Sequence, residues 1–494
     1  MKIKSLSIQN FRSIQNQSFN SKELSIFIGN NGTGKTSILE AINFCLSPQF
    51  LSGRIKHTDF CANLDAPIII DIKFDSTFTA KLPDGYTTQT VKCDGVHLEI
   101  KKREKASAGK AFSDIVVITH YVTPDRPKDE AKGWKIIRQS GKPFYFDERL
   151  LTFSQAEIDD FPRSFYFGKN RERQLQKGYN SSISSIIEDF NWRFTKTIQE
   201  ELAQTSQSDF FLNKHNFEQE IINKVDRTAF DKSMKALNLK LKNFDIENIN
   251  FSFVDGNAPF DSAFLSHKLQ ERFDLPVSNL GSGIEMIVSL LFLETLASFT
   301  KSSIVILIDE PELHLHPKLQ EKFVQYLIQI SSQNQIVIST HSPYFFKNCL
   351  SNTNIELLIT KKTSNESQIE NTGGKFNYFP WSPSWGEINY LAYDLPTVEF
   401  YNELYGYLQE ETKSFTIDDL EQHFVNNGIG KTKKWIKVNK DGTIQPPKDM
   451  TLISYIRNFF HHPENKHNSE YSPLEFKESI QKLIQLVEAL KTLP

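Results

Sequence analysis

The 494-residue chain has little cysteine: Cys45, Cys61, Cys93 and Cys349 are scattered, and no two form a C-x-x-C pair. That spacing argues against a disulfide framework and against a zinc knuckle. The chain lacks any run of eighteen apolar residues, and its opening residues, MKIKSLSIQNFRS, lack an apolar signal core. Neither a membrane span nor a secretory leader is expected, and a reducing cytoplasmic setting is. Charge of one sign is also missing. Lys and Arg number 57 against 60 Asp and Glu, a formal net charge of -3. No global nucleic-acid footprint follows, and any basic surface has to be local. What the chain does have is Phe, in 40 copies, within an ordinary 39% hydrophobic and 24% charged composition. Several packed cores are expected, and the length predicts two to four domains.

Residues 23–42 read ELSIFIGNNGTGKTSILEAI, an apolar strand from Leu24 running through a Gly/Asn turn into a helix that starts near Lys35. Gly29, Gly34, Lys35 and Thr36 fit the phosphate-loop pattern G-x-x-x-x-G-K-[ST] in its required strand–loop–helix context. The backbone N–H groups of Asn30, Asn31, Gly32, Thr33 and Gly34, with Lys35, Thr36 and Ser37 at the helix start, are expected to face the phosphates of ATP. Lys35 is expected to reach the β/γ oxygens, and Thr36 to ligate Mg²⁺.

Far downstream, KSSIVILIDEPELHLHP contains the apolar run Ile304–Ile308, which reads as a strand buried on both faces of a parallel sheet. Asp309 and Glu310 follow at the strand's C-terminal end, where such sheets meet their ligands. Asp309 is expected to support Mg²⁺, and Glu310 to polarise the attacking water. NQIVISTHSP is a second apolar strand, ending at His341 as a γ-phosphate sensor. Between them lies SNLGSGIEM, in which small residues precede an apolar helix. It reads either as a plain Gly/Ser helix cap or as a further anion-binding helix start.

Together these stretches resemble the ABC-type ATPase heads of the RecF, OLD and SMC kind, over residues 1 to about 60 and 270 to 350. LSIQNFRSI, with Asn10, Phe11 and Arg12, resembles that group's N-terminal signature. The resemblance implies an ATP-sandwiched homodimer, or a higher even-numbered oligomer, in which Gly281, Ser282 and Gly283 complete the partner's site. Ile284 departs from the usual polar residue there. Gln49 is a candidate Q-loop residue by the same resemblance, although SPQFLSG also reads as a plain turn.

Residues 66–121 alternate like an antiparallel layer. Residues 101–105, KKREK, read as a solvated hairpin tip rather than a nucleic-acid contact. Residues 170–245 read as polar, helical segments without sustained heptads, so no long coiled-coil arm is expected. After His341 there is no Asp-x-Asp, which disfavours the TOPRIM nuclease of OLD relatives. About four amphipathic helices are expected instead, with a Pro/Lys-rich connection near residues 431–449. Ser472, Pro473 and Glu475 predict a capping box for the last of them.

One of those helices, Leu452 to His462, ends in RNFFHHPEN. On an ideal helix His461 lies about 40° round from Arg457 and His462 about 140°. Geometry thus favours His461 as the partner of Arg457. RNFFHH resembles the R-N-x-x-x-H signature of HEPN domains, matched by Arg457, Asn458 and His462. That resemblance implies a metal-independent RNase, with His462 moving the proton, Arg457 stabilising the charged phosphate and Asn458 orienting the pair. The bland alternative is a polar helix end on a structural bundle.

The fold expected is α/β: a P-loop ABC-type ATPase head with an antiparallel layer and a helical insertion, then an all-α bundle. The divisions are 1–140, 141–255, 256–378 and 379–494. The function expected is an ATPase that controls a HEPN endoribonuclease acting on RNA, with tRNA a substrate by resemblance to ATPase–HEPN anticodon nucleases of phage defence. Two alternatives stay open: a Septu-like ATP-gated scaffold that recruits a separate nuclease or inhibitor protein, and RecF-like DNA handling.

Overall fold

In the computed structural model, the described residues are 1–47, 51, 55–61, 66–81, 90–102, 115–122, 138–139, 142–143, 146–147, 150–151, 158–159, 161–168, 228–244, 246, 249–254, 262–269, 273–276, 282–300, 304–313, 315–347, 349, 354–363, 366–439 and 442–491. Gln49, Gly281, residues 103–105 of the basic tip and residues 169–227 of the expected insertion lie outside them. The chain divides into two compact units, Met1–Asn371 and Thr372–Pro494.

The first unit is built on two sheets. One is antiparallel and contains β1 (Ile3–Phe11), β2 (Ile14–Asn20), β4 (Ile68–Lys81), β5 (Thr90–Lys102) and β6 (Ile115–Val122), in the order β2-β1-β4-β5-β6. Short pairings at Phe146–Asp147, Leu150–Leu151 and Ile158–Asp159 extend it. Its strands alternate, so Leu6, Ile8, Ile70, Ile72, Val96 and Leu98 are buried while Asp71, His97 and His120 share the other face.

The second sheet holds β3 (Leu24–Gly29), β7 (Arg163–Phe167), β11 (Ile304–Asp309), β12 (Gln335–Thr340), β13 (Ile355–Thr363) and β14 (Glu366–Asn371), in the order β7-β11-β12-β3-β13-β14. All pairings are parallel except the β13–β14 hairpin. Every residue of β3, β11 and β12 is buried, as expected of central parallel strands covered on both faces. Helix α1 (Lys35–Leu46) follows β3, and α4 (Pro317–Ser331) lies between β11 and β12. A three-stranded antiparallel sheet, β8 (Ile249–Val254), β9 (Ser262–Leu269) and β10 (Phe273–Pro276), accompanies α2 (Thr228–Leu241) and α3 (Ser282–Thr300). A single turn of helix, α5 (Pro343–Lys347), follows β12.

The second unit is a helical bundle: α6 (Trp385–Tyr393), α7 (Val398–Glu411), α8 (Ile417–Asn426), α9 (Leu452–His461) and α10 (Pro473–Lys491). The long amphipathic stretch WGEINYLAYDLPTVEF splits into two helices because Asp394 turns left-handed (φ 52°) and Pro396 cannot continue α6. The connection near residues 431–449 forms a two-stranded ribbon, β15 (Lys431–Trp435) with β16 (Lys448–Thr451). β-branched and aromatic residues beside the Lys residues make a short edge pairing feasible there. The capping box of α10 is present: Glu475 N–H donates to Ser472 Oγ at 3.2 Å, and Ser472 N–H to Glu475 Oε2 at 2.8 Å. Among the described residues no helix is long and apolar enough to cross a membrane.

Candidate nucleotide site and candidate tail site

The strand order of the parallel sheet sets three chain segments side by side, although the first ends at Gly29 and the other two begin at Ile304 and Gln335. β3 ends at Gly29 and opens into residues 30–34, which lead into α1 through Gly34 at φ 90°. The Lys35 ammonium is almost fully buried and donates to the carbonyls of Gly29 and Asn30, both at 2.8 Å. Asn30, Asn31 and Gly32 are exposed, whereas Thr33 and Ser37 are buried. Thr36 Oγ1 donates to Asp309, 3.0 Å from Oδ2 and 3.2 Å from Oδ1.

Asp309 has no solvent exposure. A buried carboxylate costs several kcal/mol unless it is partnered, and the hydroxyls of Thr36 and Ser339 both donate to it. Glu310 takes the left-handed conformation, φ 51°, and its backbone N–H donates to the Ser339 carbonyl at 2.8 Å. A glutamate at that φ is sterically costly and is held only where its surroundings fix it. Its Oε1 lies 3.2 Å from His341 Nε2. Lys35, Thr36, Asp309, Glu310 and His341 thus meet at the C-terminal edge of β3, β11 and β12. Ser282 and Gly283 begin α3, with Gly283 buried.

Several supporting groups carried no signal in the sequence. Glu312 accepts the backbone N–H of His341 and the Thr340 hydroxyl, the latter at 2.8 Å. Burial pushes its carboxyl above the usual range. Arg12, also left-handed at φ 51°, pairs with Glu40 on α1 and donates to Asp59 at 2.8 Å. Burial raises the Glu40 carboxyl, and Asp309 adds to the effect by like charge. The N-F-R signature pointed to this region, but the partners Glu40 and Asp59 stand in no recognisable spacing to it.

In the second unit, α9 begins at Thr451, whose hydroxyl caps Ser454 N–H at 3.3 Å. Buried Glu421 gathers the Thr451 N–H (2.6 Å) and hydroxyl (2.8 Å) together with the Ser454 hydroxyl. Arg457 Nη1 donates to Asn458 Oδ1 at 3.3 Å, while the Asn458 amide is buried against Met450. His462 forms the C-cap of α9, its Nδ1 3.3 Å from Glu464 Oε1 and its ring 6.4 Å from that of Trp435. His461 is exposed; desolvation, then Arg457 and His462, lower its imidazole below the usual value. Arg457, Asn458, His461 and His462 therefore share one helix end, with Arg457 felt by His461 and His462 turned toward Glu464 and Trp435. Nearby, Asn465 and Asn468 bond the Ile436 peptide at 2.8–2.9 Å, fastening the HHPENKHN loop to the ribbon.

Comparisons with known proteins bear on the first unit most directly. An OLD nuclease of Thermus scotoductus is 24% identical over 359 residues, covering 69% of this chain and 59% of that protein. The chain thus spans less than two thirds of the length of that relative. A "Retron Vc95 probable ATPase" of Vibrio cholerae is 23% identical over 405 residues, covering 75% of this chain and 74% of the relative. Among solved structures, an SMC head bound to the C-winged helix domain of ScpA aligns over 75% of this chain and 97% of its own, at 15% identity and a TM-score of 0.41. The family described as "AAA ATPase domain" matches residues 1–346. With the phosphate loop and the Asp309–Glu310 strand end inside that span, the chain belongs to the AAA ATPase domain family.

Proposed function

We propose that the chain is an ATP-binding and ATP-hydrolysing regulatory protein whose nucleotide cycle gates its helical C-terminal unit, within a defence-associated ATPase–nuclease system. The observation that carries the reading is the convergence of Lys35, Thr36, Asp309, Glu310 and His341 on one sheet edge. The names of the curated relatives, a nuclease and a retron ATPase, support the setting.

In this reading the loop from Asn30 to Gly34 and the start of α1 bind the phosphates, and Lys35 leaves its two carbonyls to neutralise them. Thr36 and Asp309 offer hard oxygen donors 3.0 Å apart, a pair that suits Mg²⁺, which keeps its remaining positions for water and phosphate. Bound there, the ion would neutralise charge on the β- and γ-phosphates. Glu310 orients and deprotonates the attacking water, and His341 shares a hydrogen bond with that carboxylate, fixing its direction. Gly281, Ser282 and Gly283 serve the site of a second copy in an ATP-sandwiched dimer. The helical unit then recruits a separately encoded nuclease or an inhibitor protein. Glu310→Gln is the test: it should bind ATP, stall turnover and shift the chain to a dimer in size-exclusion chromatography. Unchanged turnover would remove Glu310 from the chemistry.

A second reading makes the helical unit a metal-independent HEPN endoribonuclease acting on RNA, tRNA among the candidates. The grouping of Arg457, His461 and His462 at one exposed helix end supports it. A neutral imidazole beside a guanidinium suits attack by a ribose 2′-OH, with His as base and Arg on the phosphate. Of the two histidines, the electrostatic contact with Arg457 favours His461 and the signature spacing favours His462. Total bacterial RNA incubated in EDTA should show discrete cuts, lost in His461→Ala or His462→Ala. RNA left whole by the wild type and by the ATP-trapped Glu310→Gln variant would leave the recruiting reading.

A further inference from the structure

The β13–β14 hairpin, remote in sequence from the phosphate loop, meets that loop at two points. In register, Thr360 of β13 pairs with Gly29 at the end of β3. A side chain on Gly29 would meet the Thr360 carbonyl oxygen at 2.1 Å, so loop and hairpin backbones touch directly. The Thr360 hydroxyl lies 2.7 Å from the Thr33 hydroxyl and 3.2 Å from the Ile28 carbonyl, while Thr33 Oγ1 lies 2.8 Å from the Asn30 carbonyl. All of these groups are inaccessible to water except at Asn30.

Each hydroxyl owns a single proton. If Thr360 donates to Thr33, the Thr33 proton goes to the Asn30 carbonyl. If Thr33 donates to Thr360, the Thr360 proton goes to the Ile28 carbonyl. Either arrangement ties β13 to the loop or to the strand that feeds it. The Asn30 carbonyl also accepts from Lys35. Once Lys35 turns to a phosphate, the Thr33 hydroxyl remains on that carbonyl, and the donor arrangement from Thr360 is the one that keeps it there.

The second fastening is at Gly34. A Cβ on Gly34 would lie 2.9 Å from the Ser367 hydroxyl and 3.2 Å from that of Ser13. These two hydroxyls bond each other at 2.7 Å, and Ser367 N–H donates to the Ser13 carbonyl at 2.8 Å. The Ser13–Ser367 pair therefore backs the residue through which the loop enters α1.

We infer that Thr360 and Ser367 are positioning residues of the phosphate loop, holding it in a nucleotide-ready shape. The inference rests on the reading of residues 30–36 as the ATP site. Its test uses the full chain in a Glu310→Gln background, so that ATP with Mg²⁺ can be titrated calorimetrically without turnover. Thr360→Val keeps the shape and removes the hydroxyl, and should weaken ATP binding about fivefold, the effect of one net hydrogen bond. Thr360→Ser should restore affinity to within about twofold, which a purely packing role would not produce. Ser367→Val, crowding Gly34, should weaken binding as well, with an unchanged unfolding midpoint marking an effect on the loop rather than the fold. Lys35→Ala separates the two levels of the argument. Binding lost in Lys35→Ala but kept in both Thr360→Val and Ser367→Val overturns the inference and leaves the ATP site standing. Binding kept in Lys35→Ala overturns the site reading itself.

Discussion

In the first unit, the charged residues that matter are buried and held by each other: Asp309 by two hydroxyls, Glu310 beside His341, Lys35 over two carbonyls. In the second unit, His461 and His462 stand in solvent at the end of α9, and a buried carboxylate of α8, Glu421, holds the start of that helix. Burial fixes geometry in advance and strengthens every electrostatic interaction. The first site is thus ordered within one chain, whereas exposed groups on a helix end gain comparable strength only when something covers them. On physical grounds the head's own share of its site is set in advance, whereas the exposed groups of the tail are not.

That contrast can be broken or sharpened by measurement. Lys35→Ala and Glu310→Gln should each lower ATP turnover by about 100-fold or more, read as phosphate release, because Lys35 neutralises the reacting phosphates and Glu310 deprotonates the attacking water. A loss below about tenfold would mean that the head is not preorganised. If the helical unit is itself the RNase, Arg457→Ala should lower EDTA-resistant RNA cleavage by about 100-fold with ATP turnover within twofold of the wild type. Equal cleavage in this variant and the wild type would make the tail a surface without chemistry.

Glu421→Ala should destabilise the helical unit by about 3 kcal/mol in urea, since three donors at the start of α9 lose their acceptor. Glu464→Ala, on a fully exposed carboxylate, should leave the urea midpoint unchanged. A small, pH-dependent effect belongs to His97. Its hydrogen bond to Asp71, 2.6 Å, raises the imidazole above its ordinary value. The pair's contribution is full below about pH 6.5 and is lost as pH rises through the higher folded value. Solvent at Asp71 keeps it under about 1 kcal/mol. His97→Asn should therefore lower the melting temperature at pH 5.5 and leave it nearly unchanged at pH 9.

The phosphate loop, the apolar strands β3, β11 and β12, and the capping box at Ser472 were legible because each depends on neighbours in sequence. Apolar runs of strand length, a Gly-rich turn before a helix, and S-x-x-E spacing all act over a few residues. Glu312, Thr360, Ser367 and Glu421 were not legible. Each acts on a partner that lies 29 to 354 residues away, and a Thr or Ser in a strand has no local mark of that role. The tail has five helices where about four were expected, because Asp394 turns left-handed and Pro396 ends α6.

By itself the sequence determined that this chain has a nucleotide loop between a strand and a helix, a carboxylate pair after a buried strand, and a helical tail ending one of its helices in Arg, Asn and two His. The tertiary structure decided which groups meet. Strand order, set by long-range packing, places residues 36, 309 and 341 together. Backbone conformation then divides the acidic pair in DEPE, turning Glu310 to the His341 ring and Glu312 to the His341 backbone. Two carboxylates two residues apart are equivalent in a sequence and become distinct only when a folded surface offers each a different partner.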